Sequence, residues 1–187
     1  PSLLRALRLV FRGDAGVTLV PALLGAEPGE AVLHLNRANP TVATASRDFI
    51  AAAAGSPGWE GQEWDAALPR PRTTLDALAA AHGRPHFIKV DVEGWEAEVL
   101  RGLSAAPRAL SFEFTTIQRP VAHAALALRS ALGLRAFNAC LGESMAWAFP
   151  APVTAMEIAA WLDALPAEAN SGDIYASSEA ARLRVGG

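Results

Sequence analysis

Ionisable side chains crowd one short stretch of this sequence, Phe87-Ile88-Lys89-Val90-Asp91-Val92-Glu93-Gly94, with Glu96 two residues on. A second apolar segment, residues 109–115, carries Glu113 with Ser111 two positions before it. Carboxylates gathered at a strand end can orient a hydroxyl, take its proton, or ligate a hard divalent cation. Strand alternation puts Phe87, Lys89 and Asp91 on one face and Ile88, Val90 and Val92 on the other. A Lys and an Asp inside a covered layer are costly unless paired. The expectation is an ion pair of Lys89 with Glu113 or Glu96, holding Asp91 and Glu93 at the cleft. Asp91 then stands at the strand tip, before a glycine that lets the backbone turn sharply towards a ligand. The competing reading is a set of structural salt bridges, which suits Lys89 and Glu96 best. Glu93 fits either a contact to substrate or a favourable charge at the start of a helix.

Other chemistries find less support. No two histidines have ligand spacing such as His-Glu-x-x-His, and the single Cys140 cannot build a zinc site or an intramolecular disulfide. His82, His86 and His123 read as surface or packed residues; His34 lies in a strand. Trp59 and Trp64 fall in an irregular stretch where aromatics often close over a ligand, whereas Trp95, Trp147 and Trp161 have core positions.

These residues need elements to hold them. Leu3, Leu4, Leu7, Val10 and Phe11 have helical spacing, with Ser2 as cap and Gly13 as stop. Strands are predicted over 17–24 and 31–36, then a helix over 47–54 behind Ser46. Residues 37–72 otherwise read as the least regular region, with an exposed loop from Gly55 through Pro71. Thr73-Thr74-Leu75-Asp76 has capping-box spacing for a helix to His82. Then follow a strand over 87–92, a helix over 94–103, a strand over 109–115 and a helix over 120–132. A hairpin pairs 134–141 with 144–149 around Gly142-Glu143. Thr154 and Glu157 open a helix to Leu165, and a last short strand covers 173–176. Alternating apolar strands and helices predict one α/β domain over residues 1–187, its sheet buried on both faces and closed by an antiparallel hairpin.

Composition sets the outer bounds. A chain of 187 residues with 51% hydrophobic and 19% charged content suits a soluble globular domain. No apolar run approaches a membrane span, and no secretory signal is visible. A lone cysteine fits a reducing, cytoplasmic setting. Net charge is −3 with signs interspersed, which gives no reason to expect nucleic acid and favours a small neutral or polar substrate. Of 16 basic residues 15 are Arg, so Lys89 is the only Lys in the chain.

Taken in order, Thr74-Leu75-Asp76-Ala77-Leu78, Ile88-Lys89-Val90-Asp91-Val92-Glu93-Gly94-Trp95-Glu96, Val99-Leu100-Arg101-Gly102 and Leu110-Ser111-Phe112-Glu113 resemble the FkbM family of methyltransferases. Gly172-Asp173-Ile174-Tyr175-Ala176 fits that family's last strand, and the resemblance covers about residues 15–177. It implies a Rossmann-like class I methyltransferase sheet and transfer of a methyl group from S-adenosylmethionine to a hydroxyl oxygen of a small molecule or sugar. It also implies roles. Asp91 would sit beside the cofactor's methionine end or the acceptor, with Glu93 and Glu113 as the next catalytic candidates. Ala22, Leu23 and Leu24 would flank the adenine, and His34 and Asn36 would face the acceptor.

One departure stands out: these 187 residues hold no Gly-rich loop of the kind that cradles the cofactor, Gly13 and Gly16 being the only close pair before the first predicted strand. The expectation is that the family's first two strands and a helix are lacking and an interior sheet edge is exposed. Two rival readings follow: a hydrolase whose Asp91, Glu93 and Glu113 ligate a divalent metal, and a silent domain that only binds. On the truncated reading the chain binds S-adenosylmethionine poorly, and calorimetry that returned micromolar affinity would reject it.

Overall fold

Apolar strands and capped helices produce a mixed α/β chain with two sheets, described over residues 2–183 by a computed structural model. In chain order the elements are α1 (Ser2–Val10), β1 (Leu23–Leu24), β2 (Gly29–Leu35), α2 (Arg47–Ala53), β3 (Ala66–Thr73), α3 (Leu75–His82) and β4 (Phe87–Val90). They continue as α4 (Glu96–Arg101), β5 (Ala109–Thr115), α5 (Arg119–Ala131), β6 (Ala136–Leu141), α6 (Ala155–Ala164) and β7 (Ser171–Ser177). The small sheet has order β1-β3-β2, with β1 parallel and β2 antiparallel to β3. The larger has order β4-β5-β7-β6; β4 and β5 are parallel, and β7 is antiparallel to both neighbours.

Helices begin where the sequence supplies caps. Ser46 Oγ accepts from the Phe49 amide (3.0 Å) ahead of α2, and Thr154 and Glu157 form the reciprocal box ahead of α6. Before α3 the cap is Thr74, which accepts from the Ala77 amide (3.0 Å), one residue later than the Thr73 box predicts. Asp76 instead accepts from the Ser104 amide. The cap expected of Ser2 falls on a side chain outside the described residues.

The core forms on one face of the larger sheet. Val90, Leu110, Phe112, Phe114, Ile174 and Phe137 alternate inward and pack with Val99 and Leu100 of α4, Ala125 and Leu126 of α5, and Ile158 and Leu162 of α6. Arg129 of α5 is fully buried in this layer and donates to the Leu100 carbonyl (2.7 Å), tying α5 to the end of α4.

Several expectations change. The sheet's second face is covered only in part: along β4, Phe87 is 50% exposed and Lys89 is solvent-accessible, whereas Ser111 of β5 and Asn138 of β6 in the same register row are buried. No hairpin forms over 134–149. β6 pairs with the distant β7, while Asn138 binds the backbone of Phe149 and Val153 bridges Phe137, so an irregular segment containing Pro150 and Pro152 lines the outer edge. Proline lacks the donor a continuing strand needs. The strand expected over 17–24 shrinks to Leu23–Leu24. Conversely, the supposed exposed loop ends in β3, whose Pro69 and Pro71 are tolerated because β1 pairs only with Arg72 and Thr73 and leaves that edge open. Among the described residues, no helix is long and apolar enough to cross a membrane.

Phe112 lies at the centre of the core with no exposed surface. Phe112→Ala should cost about 3–5 kcal/mol, read as a lowered midpoint in urea unfolding; a loss below about 1 kcal/mol would place the core elsewhere.

Candidate active site

β4 ends at Val90 because the following residues leave the extended conformation. Glu93 has φ 53° and Gly94 φ 82°, two left-handed residues in succession. Positive φ is uncommon outside glycine and persists only when the surroundings impose it. Three contacts do so. The Glu96 carboxylate, almost fully buried, accepts from the amides of Val92 and Gly94, each at 3.2 Å. Thr44 Oγ1 donates to the Glu93 carbonyl (2.6 Å). Gly94 has no room for a side chain: a Cβ would lie 2.7 Å from the Phe49 ring and closer still to Gln118 Oε1.

Register then selects the neighbours. Lys89 lies beside Ser111 and Val90 beside Phe112 across the parallel pair, so continuing by one residue brings Asp91 to the level of Glu113. On its other side Glu113 is paired with Asp173 of β7. Carboxylate oxygens of Asp91, Glu93 and Glu113 all lie within 4.8 Å of one another. That spacing allows a shared proton, a hydroxyl held between carboxylates, or a divalent cation. One oxygen of Glu113 is buried with no hydrogen-bond partner, as is Ser111 Oγ behind it.

Lys89 meets this charge, though not through Glu113 or Glu96 as the sequence suggests. Its ammonium bonds both oxygens of Asp173 (2.9 and 3.1 Å) and lies 3.4 Å from Asp91. Burial alone would lower its pKa; the hydrogen bond and charge of Asp173, then the charge of Asp91, outweigh that and raise it. One ammonium does not neutralise the group. Desolvation, then the charges of Asp91 and Glu96, pushes Glu93 up to about 7. Desolvation also raises Glu96 to about 7, against the opposing pull of its backbone hydrogen bonds. Glu113 rises to about 9 through desolvation followed by the charges of Glu93, Asp91 and Glu96. At neutral pH Glu113 therefore keeps its proton and can donate it to Asp91.

Of the sequence-predicted residues, the structure brings Asp91, Glu93 and Glu113 together and places the others apart. Ala22, Leu23 and Asn36 line a cleft of about 660 Å³ between α1 and the small sheet, with Leu7, Leu35 and Leu68. Leu24 packs against the core, and its carbonyl accepts from the Trp95 indole (3.0 Å). His34 lines a separate hollow with Arg47 and Trp64. Trp59 and Trp64 pack edge-on against Phe49 in a second apolar cluster under the loop, Trp64 also lining the hollow with His34. Trp147, half-buried, meets Tyr175 at 4.9 Å on the face that carries Asp173. Two contributors escape sequence reasoning. Asp173 alternates with Tyr175, so its face could be read, but its neighbours depend on a sheet order that sequence does not print. Thr44 gives no signal, standing 49 residues before its partner.

Comparison with protein families supplies the class: residues 12–135, about two-thirds of the chain, match a methyltransferase domain. The family is described as "Methyltransferase FkbM domain", and the chain belongs to it. Neither the curated proteins nor the solved structures yield a match.

Three raised carboxyls make stability depend on pH. Glu93, Glu96 and Glu113 retain protons in the folded chain at pH values where the unfolded chain has released them, so the folded state binds more protons and stability falls with rising pH. The contribution is complete below the ordinary carboxyl range and is lost through the folded values. The thermal unfolding midpoint should fall from about pH 5 to about pH 9, and a midpoint that climbs across this window would contradict the assignment.

Proposed function

We propose that this domain transfers a methyl group from S-adenosylmethionine to a hydroxyl oxygen of a small molecule or sugar. The observation that carries the reading is the convergence of Asp91, Glu93 and Glu113 at the carboxyl ends of parallel strands β4 and β5, in a chain of a methyltransferase family. Ligands of α/β sheets bind at that end. The sheet order β4-β5-β7-β6 also supports a Rossmann-like arrangement.

S-adenosylmethionine, when bound, supplies an electrophilic methyl carbon on a sulfonium. The residues present suit such a cation, since Asp91 and Glu93 lie together at the strand tip while Lys89 directs its hydrogen bonds to Asp173. The resemblance also implies adenine contacts for Ala22, Leu23 and Leu24 and acceptor contacts for His34 and Asn36; these residues lie apart from the carboxylates, and the reading does not rest on them. Asp91 orients the acceptor hydroxyl and takes its proton on a carboxylate oxygen. Glu113, protonated at neutrality, steadies Asp91 by donating to it. Glu93, with a pKa of about 7, is the second proton acceptor. A small acceptor, rather than nucleic acid or membrane, and a cytoplasmic setting belong to the same reading.

A second reading is favoured by the 4.8 Å spacing: a divalent cation bridged by the same three carboxylates. The two separate by experiment. In the full-length protein, Asp91→Asn should lower release of S-adenosylhomocysteine by about 100-fold or more, assayed with a panel of sugars and small alcohols, while cofactor binding persists. Unchanged turnover rejects the role of Asp91. Manganese-dependent phosphodiester hydrolysis without S-adenosylmethionine would favour the second reading.

A further inference from the structure

Thr44 lies outside every element that carries the carboxylates, yet it is fully buried and makes four hydrogen bonds. Its backbone exchanges both bonds with His34 of β2 (2.7 and 3.0 Å), which fixes it to the small sheet. Its hydroxyl donates to the Glu93 carbonyl (2.6 Å) and accepts from the Ser46 amide (2.9 Å). A hydroxyl has one proton to give, and here it goes to the carbonyl of a residue held at positive φ. Ser46 in turn caps α2, whose Phe49 closes against Gly94. Two independent contacts from one segment therefore press on the two left-handed residues of the loop.

We infer that Thr44 is a positioning residue for the methyl-transfer site, holding the Glu93 backbone in its left-handed conformation so that the carboxylate stays beside Asp91 and Glu113. The Glu93 carbonyl shares its peptide with the Gly94 amide, which donates to Glu96 (3.2 Å). A flip of that peptide would break both bonds, change ψ of Glu93 and φ of Gly94, and free the loop that carries the carboxylate. The hydroxyl opposes that flip, because the flipped carbonyl would leave a buried donor unpaired. Thr44 also makes the site answer to the small sheet, since any shift of β2 reaches Glu93 through one residue.

The inference rests on the methyl-transfer reading for its meaning, but its first test needs no turnover. With glutamate side-chain carboxyls labelled with carbon-13, and Glu93 assigned by the loss of its signal in Glu93→Gln, Thr44→Val should move the Glu93 carboxyl resonance and the Gly94 amide signal. Thr44→Ser, which keeps the hydroxyl, should restore both. Should Thr44→Val not fold, Thr44→Ala removes the same hydroxyl at smaller volume and is read the same way. Wild-type signals in a folded variant lacking the hydroxyl overturn the inference. In the full-length protein the same loss should lower kcat roughly tenfold with the KM for S-adenosylmethionine little changed, and serine should rescue it; an effect on KM alone would overturn it. Failure of the methyl-transfer reading would appear separately, as no release of S-adenosylhomocysteine by the wild-type protein, and would leave the carboxyl signals of the Thr44 variants as they are.

Discussion

Like charges set side by side by strand register are the constraint on which this structure turns. β5 lies between β4 and β7, and the two pairings bring Asp91 and Asp173 to either side of Glu113. Two full charges about 4 Å apart repel by about 4 kcal/mol at an effective dielectric near 20. Such a row is not tolerated fully ionised, and the surroundings show how it is managed. Lys89 neutralises part of it from the neighbouring pleat, and Glu113 keeps a proton. Strand pairing selects these neighbours, and burial supplies the largest part of the shift at Glu113.

The same sheet divides its labour between its faces. The helix-packed face contains Phe112, Phe114, Ile174 and Phe137 and supplies the hydrophobic stabilisation. The opposite face carries Lys89, Asp91, Glu113 and Asp173, groups that would be costly inside a sealed core. Alternation at single-residue spacing thus lets one strand serve both purposes: Phe112 anchors β5 while Glu113, its neighbour, points the other way. Free energy from the packed face offsets the repulsion and backbone strain at the strand tips.

Much of this was legible in the sequence, for local reasons. The apolar run bounds β5, the caps mark the starts of α2 and α6, and carboxylates near strand ends point to the grouping of Asp91, Glu93 and Glu113. What failed was non-local. Lys89 was assigned to Glu113 or Glu96 because those were its visible neighbours; the real partner, Asp173, lies 84 residues away on a strand whose position depends on sheet order. β3 is not legible in the sequence because Pro69 and Pro71 are strong breakers, and only its open edge makes them acceptable. The hairpin around Gly142 was expected because a turn signal flanked by apolar residues is a local cue, while β7 offered β6 a longer partner. Gly94 was recognised as a turn residue, but its tight fit under Phe49 and Gln118 is a property of packing.

The two sheets, finally, act on one site because they are joined where the site is made. Thr44 binds the Glu93 carbonyl, the Trp95 indole binds the Leu24 carbonyl, and the Ala26 amide binds Glu98 of α4 (3.3 Å). Gly102, at the end of α4, abuts the Gly25 carbonyl so closely that a Cβ would not fit. These ties bracket the loop from Glu93 and the short helix that follows it. α4 has only six residues, too few to be stable by itself. Its position therefore derives from what grips it: Arg129 from the core side and residues 24–26 from the small sheet. The Glu96 carboxylate at its first residue then passes that position to the amides of Val92 and Gly94. These grips converge on the same few residues, so contacts from both sheets bear on the loop that carries Glu93.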